Sequence, residues 1–448
     1  VTNVLAKAAR MEGAQIFEKT PVTKILVKNN SIVGVETDKG KIDCEYVVLA
    51  TGMWSRQIGE KMNVSIPLYP NEHFYVITEP MKDLPKNLPV LRDYNNCLYL
   101  KEDAGKMLVG IFEPNAKPAF KNTGVVPDDF SFGELPDDFD HFEPYLQKSF
   151  HRLPMLENAG IRKFFSGPES FTPDTQYLLG ETPEIKKLFT CCGFNSIGIA
   201  SSGGAGRVTA EWMINGHINE DLFSLDIKRF QKFHSSKKFI MERVTETLGD
   251  LYGMHWPFKQ HKTSRNQIVL PYQEELKKLG ACFGTSGGFE RPMWYALKGE
   301  KADYNYSFGY QNWYPSAEYE TKNTRENVGL FELSPFSKFD LEGQNVHEEL
   351  QKICTANIKD VEGRATYTQM LNEDGGIETD VTVTCLEKNH FRVIGPAATR
   401  EHDKFHIKKH ISEEVNFKDL TEDLTCLGLY GPNSRKLLSN ISNDDFTN

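Results

Sequence analysis

The 448 residues are 39% hydrophobic and 25% charged, an ordinary globular composition too long for one core, so two domains and a connector are the natural starting point. Lys plus Arg total 52 against 62 Asp plus Glu. With no dense basic run, nucleic acid and anionic membrane lose electrostatic support as partners, which leaves a small-molecule enzyme as the better class. No apolar run approaches the roughly 20 residues that cross a bilayer, and the opening VTNVLAKAARMEGA lacks a secretory order. The eight cysteines are scattered without a C-x-x-C pair, which points to a reducing compartment, bacterial cytoplasm or mitochondrial matrix, rather than a disulfide framework.

In chain order, residues 4 to 12 read as a helix with Leu5, Ala8 and Ala9 on one face, followed by a short strand from Ala14 to Phe17. The chain opens with Val1 inside this pattern, so a preceding segment is expected. Residues 14 to 52 alternate like sheet, ending in the apolar run Tyr46 to Leu49 and the corner Ala50-Thr51-Gly52, where open α/β sheets expose backbone to ligands. Further strands hold His73 to Thr78 and Cys97 to Leu100. Residues 113 to 145, with Pro127-Asp128-Asp129-Phe130 echoed at Pro136-Asp137-Asp138-Phe139, read as a surface excursion.

From 188 the pattern is strand, glycine loop, helix: Leu188 to Cys192, then Gly193 through Gly206, then Val208 to Ile214. Glycines let backbone approach a planar or anionic ligand, and the N-terminus of the following helix carries partial positive charge. Packing alone explains such a turn as well, and the spacing is not the dinucleotide fingerprint. Residues 226 to 288 read as a connecting region. After Gly288-Phe289-Glu290-Arg291-Pro292-Met293-Trp294 a new domain begins, with strands at Lys338 to Leu341, Ala365 to Leu371, Asp380 to Cys385 and Phe391 to Ile394. His402, His406 and His410 share one helix face, but lysines crowd them and no familiar ligand pattern is completed, so a solvated face is the plainer reading and no metal is expected.

Collinear blocks along the chain carry a resemblance. Residues 20 to 52, the strand around His73, Ser170-Phe171-Thr172-Pro173-Asp174 and Cys192-Gly193-Phe194-Asn195-Ser196 resemble the FAD-dependent dimethylglycine and sarcosine dehydrogenases and oxidases. Residues 288 to 294 and 370 to 380 resemble the start of their C-terminal domain, which is similar to the glycine-cleavage aminomethyltransferase. The resemblance implies an α/β and α+β chain. A glutathione-reductase-like, D-amino-acid-oxidase-like FAD domain over 1–225 lacks its dinucleotide-binding unit; a connector spans 226–288; and the first part of a folate domain fills 289–448. The G-x-G-x-x-G unit and the flavin-linked His of several members lie outside these residues, and the folate domain is expected to stop short at Phe446-Thr447-Asn448, so truncation at both ends and weak cofactor retention are expected.

The implied cofactors are FAD and tetrahydrofolate. His73 matches the active-site His, and its reference pKa suits proton transfer, though a lone strand His reads first as structural. Tyr99 matches a Tyr facing flavin and substrate, with a core Tyr as the plain alternative. Val22, Thr51, Gly52 and the loop Phe194, Asn195, Ser196, Ile197 and Gly198 match the flavin side, and the helix after Gly206 is expected to favour charge on the reduced ring. In the second domain Asp380 matches the catalytic carboxylate, otherwise a surface Asp at a strand start, while Tyr367 and Ile394 match folate contacts. The electron acceptor is oxygen or an electron-transfer flavoprotein. The implied reaction is oxidative demethylation of dimethylglycine or sarcosine with one-carbon transfer to folate. The alternatives are a non-catalytic protein resembling the regulatory subunit of pyruvate dehydrogenase phosphatase, and a folate-dependent methyltransferase.

Overall fold

The computed structural model describes residues 1–446, so Thr447 and Asn448, on which the expected end of the folate domain falls, lie outside the described residues. The chain divides into two compact units, Val1–Met254 and His255–Asn448.

The first unit opens with α1 (Thr2–Met11), which buries no side chain. The strand expected from Ala14 to Phe17 does not form, and these residues are irregular and exposed. Among the described residues no strand pairs with this four-residue run, so its backbone joins no ladder. A three-stranded antiparallel sheet follows: β1 (Val22–Lys28), β2 (Ser31–Thr37) and β3 (Gly40–Asp43). After β4 (Val47–Leu49) and α2 (Ser55–Glu60) comes the sheet that positions the site.

That sheet contains β5 (Tyr69–Thr78), β6 (Leu91–Asp93), β7 (Leu98–Asp103), β8 (Lys106–Ile111) and β9 (Ile161–Phe171), all antiparallel, in the order β6-β7-β8-β5-β9. Period-two alternation sorts its side chains. Phe74, Val76, Leu98, Leu100, Val109 and Ile111 pack into a core closed by Phe142 and Leu146 of α3 (Phe139–Arg152). The 113 to 145 excursion is therefore anchored: its second Pro-Asp-Asp-Phe is a helix start, where Asp138 caps α3 by accepting from the His141 N–H at 3.1 Å.

The hairpin β10 (Leu178–Glu181) and β11 (Leu188–Cys192) joins β4 through a parallel β11–β4 pairing. Helices α4 (Gly198–Asn215) and α5 (Lys237–Gly249) complete the unit. Ile240, Val244 and Leu248 of α5 pack with Tyr69, Phe112 and Phe171, each buried aliphatic side chain contributing about 2 kcal/mol.

The second unit begins with α6 (Gln273–Lys278), the ribbon of β12 (Ala281–Ser286) and β13 (Phe289–Tyr295), and α7 (Tyr314–Glu326). β14 (Gly329–Glu332) is followed by β15 (Ser337–Glu342), α8 (Val346–Ile353), β16 (Ala365–Leu371), β17 (Ile377–Glu387), β18 (His390–Gly395), α9 (Arg400–His410) and β19 (Asn416–Asp419). β20 (Leu427–Tyr430) returns to pair with β14, and α10 (Ser434–Ile441) follows. β16-β17-β18-β15-β19 form a second five-stranded antiparallel sheet. Its inner face, with Phe339, Leu341, Met370, Val381, Val383, Phe391 and Val393, packs on Val346 and Leu350 of α8 and Ile407 of α9. All eight cysteines are free thiols. No helix among the described residues is long and apolar enough to cross a membrane.

Candidate active site

In the first unit, His73 and Tyr99 stand on the sheet face turned away from the Phe74 core. β7 and β5 are separated by β8, and what lets the two side chains meet is Gly110. Tyr99 pairs with Gly110 in register, and a Cβ there would lie 2.0 Å from the Tyr99 ring, so the ring lies over the glycine and reaches across the strand. Its hydroxyl comes 2.8 Å from His73 Nε2. Phe112, with its ring centroid 4.8 Å from that of His73, backs the pair, and Phe112 is packed by α5.

This setting fixes the charge state. Burial lowers the His73 pKa, against the opposing pull of Glu169 and Glu113, so the imidazole is neutral near pH 7. Burial, reinforced by the Glu169 charge, raises the Tyr99 pKa. The result is a neutral imidazole and a neutral phenol in one hydrogen bond, able to accept or relay a proton.

Thr51-Gly52 and the loop Phe194 to Gly198 come together by a different route. β4 and β11 run parallel with Leu49 opposite Thr190, so both chains leave the sheet at its carboxyl edge, the usual place for a ligand crevice in such sheets. Thr51 Oγ1 is 2.8 Å from Ser55 Oγ. Gly52 has φ +55° and open space where a Cβ would sit. Gly193, Asn195 and Ser196 all have left-handed backbone, with φ of 69°, 49° and 67°. Asn195 holds this bend: its Oδ1 accepts from the Thr172 N–H at 2.9 Å and its Nδ2 donates to the Gly193 carbonyl at 2.5 Å. The Ser196 hydroxyl donates to Glu169, the same carboxylate whose charge acts on His73 and Tyr99. β9 therefore ties the loop to the His73–Tyr99 pair.

The structure corrects one reading here. The helix does not begin after Gly206 but at Gly198, with Ile197 at its N-cap. Gly203, Gly204 and Gly206 are helical and exposed, with nothing within 4 Å of an added Cβ, while Ala205 and Val208 anchor the opposite side against Leu179. That packing outweighs the weak helix propensity of glycine. Val22 stands apart, 55% exposed at the first residue of β1 in a separate sheet.

In the second unit, Tyr367, Asp380 and Ile394 share the outer face of their sheet. Tyr367 pairs with Thr382 and Thr382 with Ile394, so the three strands present a continuous row, with Asp380 one step along. The Tyr367 hydroxyl donates to Asp380 Oδ2 at 3.0 Å. Asp380 lies within β17, not at its start, because pairing with β16 continues to Leu371 opposite Ile377. Tyr367 is 63% exposed, so this pair stands in solvent. His402, His406 and His410 lie on α9. His402 pairs with Glu378 at 3.0 Å and His410 with Glu373 at 3.3 Å, and no group of three metal-ligating side chains with suitable geometry is found among the described residues.

Sequence reading missed Glu169, Gly110, Phe112 and the His141–Glu113 pair at 2.9 Å. Separations of 28 to 96 residues carry no periodic signal; strand register brings Gly110 and Glu169 to the pair, and packing of α3 on the sheet brings His141 to Glu113.

Residues 1–212 match the family model described as FAD dependent oxidoreductase, 215–269 match FAD dependent oxidoreductase central domain, and 272–448 match GCVT N-terminal domain. A 4-methylaminobutanoate oxidase (formaldehyde-forming) of Paenarthrobacter nicotinovorans is 39% identical over 100% of this chain and 54% of its own. The mitochondrial pyruvate dehydrogenase phosphatase regulatory subunit of Mus musculus is 34% identical over 99% and 51%. Human mitochondrial sarcosine dehydrogenase is 32% identical over 99% and 53%. The chain thus spans about half the length of the curated relatives it matches.

Proposed function

Because the chain belongs to the family of FAD-dependent oxidoreductases joined to a GCVT aminomethyltransferase-like domain, with sarcosine dehydrogenase and 4-methylaminobutanoate oxidase among its relatives, we propose that it carries the oxidising site of an enzyme that demethylates N-methyl amino acids. The observation that carries this reading is the half-buried His73–Tyr99 hydrogen bond of 2.8 Å, tied through Glu169 to a left-handed loop at the carboxyl edge of β4 and β11.

The residues present fit FAD. Gly52 and the glycines of α4 leave space for a planar group to approach, Ile197 and Ile199 offer exposed apolar surface, and the amino end of α4 offers N–H groups to negative charge. When bound, FAD supplies a two-electron oxidant. His73, neutral through burial, takes the proton from the substrate ammonium so that the nitrogen lone pair is free. Tyr99 fixes the direction of that transfer and orients the amine. Phe112, packed by α5, shields one side of the pair. Glu169 favours a cationic amine at entry, since its charge faces both partners.

In the second unit the open face around Tyr367, Thr382 and Ile394 suits a flat ligand, which we assign to tetrahydrofolate. Asp380, held by Tyr367, accepts the proton lost as a folate amine captures the one-carbon unit.

Dimethylglycine and sarcosine are candidate substrates, and the 39% identical relative adds 4-methylaminobutanoate. The competing reading is a regulatory subunit, favoured by the 34% identical relative. One spectrum separates them: anaerobic addition of N-methyl amino acids to the flavin-loaded protein should bleach the flavin. Colour that persists with every substrate tried would leave the regulatory reading standing. Return of colour on admitting air, or only on adding an electron-transfer flavoprotein, assigns the acceptor.

A further inference from the structure

The three histidines of α9 take no part in the mechanism above, and one of them is held in a way that reaches the second site. Met370 pairs with Thr379 and Leu371 with Ile377, so Glu378 is passed over as a β-bulge. Alternation from the buried Thr379, Val381 and Val383 would put Glu378 on the outer face beside Asp380. The bulge turns it instead to α9, which packs on the inner face through Ile407. There Glu378 Oε2 meets His402 Nε2 at 3.0 Å. The other Glu378 oxygen accepts from Asn372 Nδ2 at 2.9 Å, and Asn372 Oδ1 accepts from the Asp374 and Gly376 N–H groups. Turn, bulge and helix are thereby joined through one imidazole.

The second ring nitrogen of His402, Nδ1, lies 3.3 Å from Asp403 Oδ1, and Asp403 Oδ2 accepts from the Thr399 hydroxyl at 2.8 Å. A ring with a carboxylate at each nitrogen satisfies both only as the imidazolium, because the neutral form donates from one nitrogen and turns a lone pair to the other acceptor. The hydrogen bond from His402 is the chief influence holding the Glu378 carboxyl well below the ordinary carboxylate range. The neighbouring charges are taken up elsewhere. His406, one turn on, is kept neutral chiefly by burial. Glu373 in the turn pairs with His410 and Lys409, each at 3.3 Å. Arg400 pairs with Asp419 and Glu422, each at 2.9 Å, and Lys404 with Glu401 at 2.6 Å.

The two carboxylates on His402 are not equivalent. The Asp403 side chain is 0% exposed and that of Glu378 is 25% exposed. A ring with one proton left therefore keeps it on Nδ1, for the acceptor that cannot reach water, and Glu378 turns to solvent. We propose that His402 is a positioning residue for one-carbon capture: as an imidazolium it pins Glu378, two residues before Asp380, and so fixes the carboxylate that Tyr367 addresses. Loss of its proton releases that end of β17. This inference rests on the folate reading of Asp380 given above.

The test uses the flavin-loaded protein with tetrahydrofolate and whichever of sarcosine, dimethylglycine or 4-(methylamino)butanoate reduces the flavin. The ratio of methylenetetrahydrofolate to formaldehyde is followed across pH. In the unmodified protein that ratio should fall as pH rises above neutrality. His402→Gln cannot carry the charge, so at neutral pH it should lower the ratio by about threefold, the scale of one coupled contact. It should also lose the pH dependence while flavin reduction is unchanged. Glu378→Gln should match it, and the double variant should be no worse than either single one, whereas two independent structural losses would multiply. NMR titration of histidine-labelled unmodified protein, with His402 assigned from its variant, does not depend on how the variants fold. The ring should keep its proton above the ordinary value of about 6.5 and lose that advantage in Glu378→Gln. Amide exchange at residues 378 to 381 should rise relative to β18 as the proton leaves. An unchanged ratio, additive losses, a pH dependence retained in His402→Gln, or a ring that titrates at the ordinary value would overturn the inference. If the unmodified protein forms no methylenetetrahydrofolate, the folate reading fails, and the His402 titration and amide exchange alone decide whether the clamp exists.

Discussion

Each unit sets a tyrosine hydroxyl against a titratable side chain on the outer face of a five-stranded antiparallel sheet, and the two pairs differ in their access to water. Tyr99 and His73 are half-buried against Phe112, itself packed by α5, and burial shifts both groups toward their neutral forms. Tyr367 and Asp380 stand on an open face. The difference follows from the tasks proposed: a base that must free an amine lone pair gains from being neutral and partly shielded, while a carboxylate serving a ligand as large as a folate needs an open approach.

The largest expected effect breaks the half-buried pair. His73→Ala should slow flavin reduction by about 10²-fold or more while flavin content stays constant, measured by single-turnover mixing. In the unmodified protein the acid limb of that rate should lie below the ordinary His value of 6.5, because burial lowers the His73 pKa and the base stays available to lower pH. An unchanged rate in the variant would make His73 structural.

The solvated pair should respond oppositely. Asp380→Asn is expected to leave flavin reduction nearly intact and to cut methylenetetrahydrofolate by about tenfold, with formaldehyde released instead, since an iminium that meets only water hydrolyses. Product analysis with tetrahydrofolate present checks this. Equal loss of both activities would place Asp380 in stability or in the first site.

The smallest effect concerns stability and sharpens the contrast between wet and dry titratable groups. His406 on α9 is 6% exposed with an unpartnered Nε2. Burial, together with the neighbouring His410, lowers its pKa to about 4. Between pH 6.5 and 4 the unfolded chain binds a proton there that the folded chain refuses, so stability falls as pH falls across that window, by up to about 3 kcal/mol at its acid end. The melting temperature of the protein should fall relative to that of His406→Leu as the solution is acidified from pH 6.5 to 4. A constant difference would show that His406 is not the group responsible.

Legibility in the sequence followed periodicity. The strands around His73, Ala365 to Leu371 and Phe391 to Ile394 alternate clearly and form as read, and the Asn372 to Gly376 turn is needed to close β16 onto β17. The glycines at 203, 204 and 206 misled, because a helix anchored by Ala205 and Val208 tolerates them and no local pattern reveals that packing. The stretch from Ala14 to Phe17 had apolar residues but no partner strand among the described residues. Half of the first site was invisible for a topological reason: Gly110, Phe112 and Glu169 come to the His73–Tyr99 pair only through the β6-β7-β8-β5-β9 order and the α5 packing, neither of which spacing encodes.

Gly110 carries a consequence for reading relatives. Since any side chain at that position would occupy the volume of the Tyr99 ring, the glycine and the tyrosine form an obligate couple: a chain can keep both or lose the phenol's reach to the imidazole. A residue larger than glycine at this position, in any family member, therefore marks a chain whose tyrosine no longer addresses its histidine, whatever else of the site remains. On the proposed mechanism, the least chemically active residue of the sheet would then sort members that keep this contact from those that do not.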